Sequence, residues 1–362
     1  MRSELDFQAN QIEYVLACHR LSGRVEGGVV TPRTVSFRLI PSPGVKLRRF
    51  FDLSEELALT LGVSQCRILR QKNCLAVEVP RAQRVVVALP QLCDRLPRLS
   101  TCTAVLGVEH DGRPLLLHLP SPDVAHVLIA GSTGSGKTEL ARAMIASLIR
   151  LNRPAQVQLV LIDPKRRGFA PFVGARHLLR PIITEPDEAV AALADLTAEM
   201  LRRDEEGRST PRVVVFIDEL ADLALSGPKE VQTFLTRLTQ RGRQAGIHVV
   251  ACTQKPTTEV IGSLVKANFP VRLVGAVSSP EDAKVASGLA RSGAERLLGR
   301  GDFLAVARGE MLRFQAAFIS ELEIAGWLRG DASGGLVAAT AVGQDRRLTL
   351  PQRLVRSIQR VK

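Results

Sequence analysis

Between residues 123 and 277, short apolar runs alternate with longer segments in which apolar residues return every three or four positions. The runs VLIA, QLVLID, VVVFID, IHVVACTQ and VRLVGAV predict buried strands, whereas ELARAMIASLIRL, DEAVAALADLTAEMLRR and the stretch through EVQTFLTRLTQRGR predict amphipathic helices. Strands that are apolar throughout, and are separated by helices, point to a parallel sheet covered on both faces.

The pattern ahead of this region is different. Residues 5–20 have a helical rhythm (Phe7, Ile12, Val15, Leu16), and VSFRLI at 35–40 reads as a strand. LSEELALTLG predicts a second helix with Ser54 as N-cap, Glu56 in the first turn and Gly62 as the stop. The β-rich runs CRILR, CLAVEVP and RVVVALP follow. Residues 1–120 are therefore expected to form a small α+β domain and 121–328 an α/β domain with a parallel sheet. Residues 329–362 start with small residues and end basic, which reads as a linker and tail.

Composition narrows the class. The 362 residues are 45% apolar and 23% charged, and no window approaches the roughly 18 uncharged apolar residues of a membrane span. The first residues carry Glu4, Asp6 and Glu13 and no cleavable apolar stretch, so a cytoplasmic protein is expected. Six cysteines show no Cys-x-x-Cys spacing, which fits reduced thiols and argues against a zinc site. Lys and Arg exceed Asp and Glu by 13, and the isoelectric point is about 10.1, favouring a polyanionic partner. Aromatic residues make up only 4% of the chain, which argues for contact with a nucleic-acid backbone over stacking on bases.

The chemistry is concentrated in a few motifs. Gly131, Ser132, Thr133, Gly134, Ser135, Gly136, Lys137 and Thr138 form a glycine-rich loop between a strand and a helix. In that context backbone N–H groups wrap phosphates, Lys137 reaches the terminal phosphates and Thr138 ligates Mg²⁺. VVVFIDEL supplies Asp218, placed to hold the same ion, and Glu219, placed to polarise the attacking water; adjacent carboxylates here are also suited to capping the next helix. Gln254, at the end of a later strand, is placed to sense a terminal phosphate or position water.

The ordered series GSTGSGKT, LIDPK, HLLRPIIT, FIDELADL, RQAGIHVVACTQKP, LVKANFPVRL and GAERLLGRGDFL resembles the motor of the FtsK/SpoIIIE family of double-stranded DNA translocases. GVKLRRFFDLSEELALTL is similar to the family's smaller alpha domain, and the resemblance runs over roughly residues 20–325. It implies a P-loop NTPase of RecA-like type, ATP with Mg²⁺ as cofactors, and a homo-oligomeric ring, typically a hexamer, around double-stranded DNA. It also implies that Asp163 and Lys165 lie near the nucleotide and that Arg296 and Arg300 contact DNA phosphates.

The departures shape the expectation further. No counterpart of the family's membrane segment or of its C-terminal winged-helix domain is found in these residues. Lys255 and Lys284 stand where the family commonly has Arg, so the cation that reaches a neighbouring subunit's ATP is Lys284, Arg243 or Arg272. The expected function is an ATP-driven DNA translocase serving chromosome partition or a mobile element. The alternatives are a ring ATPase that moves proteins and a HerA-like helicase that processes DNA ends.

Overall fold

The computed structural model describes residues 2–31, 34–71, 73–81, 85–109, 112–225, 230–254, 268–330 and 358–360. Its chain divides into two compact units, residues 1–86 with 110–112, and residues 87–109 with 113–362.

The first unit holds α1 (Arg2–Cys18), β1 (Gly23–Val30), β2 (Thr34–Pro41), α2 (Arg48–Phe51), α3 (Ser54–Thr60), β3 (Arg67–Arg70) and β4 (Leu75–Pro80). Its strands form an antiparallel sheet in the order β1-β2-β4-β3. Alternate residues Val35, Phe37 and Leu39 of β2 and Leu75, Val77 and Val79 of β4 face a core shared with Ile12, Val15 and Leu16 of α1 and Leu57 of α3. Gly62, with φ of 64°, ends α3 as expected. The start of α3 differs from the expectation. Leu53 is the cap residue, and the Ser54 hydroxyl, already inside the helix, donates to Phe51 O at 2.8 Å.

The second unit begins with α4 (Leu89–Asp94), β5 (Thr103–Glu109) and β6 (Pro114–His118). It continues through β7 (Val127–Ala130), α5 (Lys137–Leu151), β8 (Val157–Ile162), α6 (Pro186–Glu206), β9 (Arg212–Ile217), α7 (Leu220–Leu225), α8 (Glu230–Arg241), β10 (Ile247–Thr253) and β11 (Val271–Val274). The last elements are α9 (Pro280–Ser287), β12 (Asp302–Ala307), β13 (Glu310–Ala316), α10 (Glu321–Arg329) and a short edge strand β14 (Ile358–Arg360). One sheet runs β14-β6-β5-β13-β12-β11-β7-β10-β9-β8; β11, β7, β10, β9 and β8 are mutually parallel and the remaining pairings antiparallel.

The unbroken apolar character of the parallel strands has a direct cause. Val127 and Ile129 of β7 pack on the face covered by α5, while Leu128 and Ala130 pack on the opposite face with α6 and α8. The same division separates Val250 and Cys252 of β10 from Val249 and Ala251, so both faces of each strand are buried.

The unit boundary falls near residue 87, ahead of the expected 120. β5 pairs with β13, and β6 with β5, so residues 103–118 extend the large sheet. Locally they read as one more short hairpin. The partner that draws them into the motor unit lies far downstream, at Phe314–Ala316. Of the expected tail, residues 331–357 and 361–362 lie outside the described residues, as does Lys255.

Candidate nucleotide site

The C-terminal ends of β7, β8, β9 and β10 converge, as ligand-bearing ends do in open α/β sheets. Between β7 and α5 runs the loop Gly131–Lys137. Gly136 sits at φ 99° directly before the helix, and a Cβ there would lie 2.7 Å from Gly301 N, so glycine is demanded by both conformation and space. The loop's base is tied down: Ser132 donates its N–H to Ala276 O at 2.7 Å and its hydroxyl to the same oxygen at 2.9 Å. No side chain caps the N-terminus of α5, which leaves its first amides available to an anion.

Lys137 is buried and folds back on the loop, its Nζ donating to Gly131 O at 2.7 Å and Ser132 O at 3.1 Å. Burial lowers its pKa, and the carboxylates of Glu219 and Asp218 act against that shift. Thr138 Oγ1 donates to Asp218 Oδ1 at 3.4 Å. Burial, followed by the negative charges of Asp163 and Glu219, pushes the Asp218 carboxyl up to about 6. Two hard oxygen donors side by side, one of them a carboxylate crowded by other carboxylates, fit Mg²⁺.

Glu219 is 2% exposed and accepts the backbone N–H of Gln254 on both oxygens, at 3.2 and 3.3 Å. Gln254 Oε1 in turn accepts the Thr133 hydroxyl at 3.0 Å, so this residue joins the carboxylate to the phosphate loop. Asp163, 1% exposed at the end of β8, accepts the N–H groups of Gly168 and Phe169 at 2.9 Å each. Its role in this structure is to shape the loop 163–169. Lys165, on that loop, lies 2.9 Å from Asp222 and 3.7 Å from Glu219, and its hydrogen bond to Asp222 is the main cause of its raised pKa.

Three contributors escaped the motif reading. Arg142 of α5 clamps the same loop, donating from Nε to Gly168 O at 2.6 Å and from Nη2 to Arg167 O at 2.7 Å. Gly168 makes room for Asp218, whose Cγ would lie 2.8 Å from a Cβ there. Asp222 holds Lys165. The spacing within LIDPKRRGF and FIDELAD carries these residues, but their partners are visible only in three dimensions.

The other predicted residues are dispersed. Arg272 of β11 is half-buried, with Nη1 3.5 Å from Val285 O, turned into its own unit. Arg243 is half-buried ahead of β10, and Lys284 is exposed on α9. Arg296 is exposed and ion-paired with its neighbour Glu295 at 3.3 Å. Arg300 donates its backbone N–H to Gly134 O at 2.9 Å, which puts it on the phosphate loop itself.

Among the described residues, no helix is long and apolar enough to cross a membrane. The sequence matches the FtsK/SpoIIIE family over residues 97–208 and 203–258 and the FtsK alpha domain over residues 1–81. It is 33% identical over 355 residues to the DNA translocase FtsK of Staphylococcus aureus (strain Mu50), covering 89% of this chain and 44% of that protein. It is 36% identical over 322 residues to the DNA translocase SftA of Bacillus subtilis (strain 168), covering 81% of this chain and 33% of that protein. The chain thus spans less than half the length of these relatives. The fold is similar to that of the pCW3 conjugation coupling protein TcpA, monomer form with ATPγS, with a TM-score of 0.59 at 18% identity over 91% of this chain and 99% of that one. With its alpha-domain match, its P-loop ATPase fold and its matched motor segment, the chain belongs to the FtsK/SpoIIIE family.

Proposed function

We propose that this chain hydrolyses ATP to drive movement along double-stranded DNA, acting as a homo-oligomeric ring of six copies. The observation that carries the reading is the position of Gln254, bonded at once to Glu219 and to Thr133 of the phosphate loop. That link joins the Glu219 carboxylate and the glycine-rich loop in one hydrogen-bonded unit, which supports a base acting beside a bound phosphate.

Each residue's part follows from its chemistry. The loop amides and Lys137 bind the phosphates, and the bonds Lys137 now makes to Gly131 and Ser132 are those a phosphate oxygen replaces. Mg²⁺, when bound through Thr138 and Asp218, neutralises charge on the transferred phosphate. Glu219 accepts the proton of the attacking water; Gln254 and Lys165 hold it in place. Lys284 and Arg243 are the cations proposed to reach a neighbouring copy's ATP, because Arg272 is bonded within its own unit.

DNA enters the reading through the names of the relatives, which are DNA translocases, and through the excess of 13 basic over acidic residues. Backbone contact without base reading fits that charge and the scarcity of aromatic rings. Arg296 is the proposed phosphate contact. Service to chromosome partition or to a mobile element follows from the same proposal. The test is steady-state ATP hydrolysis with no nucleic acid, with long duplex DNA, with single-stranded DNA and with RNA, at two salt concentrations. Stimulation by duplex DNA alone, lost at high salt, is expected. Hydrolysis indifferent to every nucleic acid would contradict the DNA reading and favour a motor that moves proteins.

A further inference from the structure

The turn Gly299–Asp302 sits against the outer side of the phosphate loop. Arg300 N–H bonds to Gly134 O at 2.9 Å and Gly301 N–H to Ser135 O at 2.8 Å. The turn is braced from behind by a buried carboxylate. Asp302, 4% exposed, accepts Arg313 Nε and Nη2 at 2.9 Å each and the N–H of Leu298 at 2.8 Å. Gln315 Nε2 donates to Arg300 O at 3.3 Å. Both backbone polar groups of Arg300 are therefore engaged, its φ is 47°, and its side chain is exposed beside the loop.

In a phosphate loop the N–H groups converge on the phosphates and the carbonyls point away. Lys137 and the start of α5 fix the phosphate end of a nucleotide. A nucleotide whose phosphates lie on the loop amides runs its ribose and base past one flank of the loop, and Arg300 and Gly301 are bonded to Gly134 and Ser135 on one such flank. A guanidinium anchored at that point is matched to a nucleoside, since its plane stacks on a heteroaromatic ring and its N–H groups suit a sugar or phosphate oxygen.

We propose that Arg300 contacts the nucleoside end of the ATP bound by its own subunit, in place of the DNA contact that GAERLLGRGDFL suggests. Arg296, exposed and ion-paired with its neighbour Glu295, is kept as the DNA contact. This inference rests on the phosphate loop's being a nucleotide site, and it adds which residue meets the base.

The test compares wild type, Arg300→Asn and Arg296→Ala by calorimetric titration with Mg·ADP and with inorganic pyrophosphate, both without DNA, and by anisotropy of a labelled duplex. Asn tolerates the positive φ of residue 300, so the variant removes the guanidinium and keeps the turn. Arg300→Asn is expected to weaken ADP binding about tenfold, the scale of one guanidinium stacked on a ring, with pyrophosphate and duplex affinities unchanged. Unchanged ADP binding with weaker duplex binding would overturn the proposal in favour of a DNA contact. Equal losses for ADP and pyrophosphate would overturn it in favour of a role in shaping the loop. A wild-type protein that binds neither ADP nor pyrophosphate would remove the nucleotide reading itself, and this inference with it.

Discussion

Gln254 gives its backbone N–H to both oxygens of Glu219 while its side chain takes the hydroxyl proton of Thr133. The carboxylate proposed as base is thus held by the residue that also touches the phosphate loop. Glu219→Gln keeps the shape and loses only the charge and proton affinity. ATP turnover is expected to fall by about 10²- to 10⁴-fold, with Mg·ADP affinity little changed. Single-turnover hydrolysis beside calorimetry checks this; wild-type turnover in the variant would remove Glu219 from the role of base.

Asp218 places function against stability. Its carboxyl is raised from 3.8 to about 6 by burial and by neighbouring carboxylates, so the folded protein without nucleotide disfavours the ionised form. The associated cost is absent below about pH 4 and fully present above about pH 6. Asp218→Asn is therefore expected to raise the melting temperature, more at pH 8 than at pH 5, while Mg²⁺-dependent hydrolysis is lost. A stabilisation that does not grow with pH would contradict this account.

The buried pair His126 and His248 gives the opposite pH dependence. Burial holds their pKa values at about 3 and about 4, below the usual 6.5; the charges of His248 and Arg243 add to the shift at His126, and those of Arg212, His118 and Arg243 to the shift at His248. His248 bonds Ala125 O through Nδ1, and His126 Nδ1 accepts the N–H of Val249, both as neutral rings. The unfolded chain binds more protons than the folded one below about pH 6.5, so these two groups cost stability as the pH falls. Urea unfolding from pH 7 to pH 4.5 should show a shallower decline in His248→Gln than in wild type. An identical slope would place the acid sensitivity elsewhere.

The phosphate loop and the Asp218-Glu219 pair were legible in the sequence because each is a contiguous motif at a strand end. Arg142, Gly168 and Asp222 were not, since their work is to shape one loop from separate elements. Arg300 is expected at DNA because its segment resembles a DNA-facing part of the family, whereas the bond to Gly134, which has no local signal, is what motivates the nucleoside contact proposed above. Residues 103–118 fall inside the expected 1–120 domain because their pairing with β13 has no local signal.

Arg203 shows how far the frame depends on one buried charge. On α6, 3% exposed, it donates to Glu199 at 2.6 Å, to Pro211 O at 2.7 Å and to Ala245 O at 3.0 Å, tying α6 to the segments entering β9 and β10. Arg203→Met leaves that carboxylate and both carbonyls short of a donor. A loss of about 3 kcal/mol is expected in urea unfolding. A loss below about 1 kcal/mol, the scale of an exposed pair, would show that these bonds are dispensable.

The claim at the centre of the account is movement along duplex DNA, and displacement of a triplex-forming strand from a linear duplex tests it most directly. With ATP and Mg²⁺ the protein is predicted to strip the third strand at a rate that falls as the distance from the free DNA end grows. Lys137→Ala and Glu219→Gln should leave the strand in place. Displacement that is equal with and without ATP, or in these two variants, would contradict a motor driven by this site.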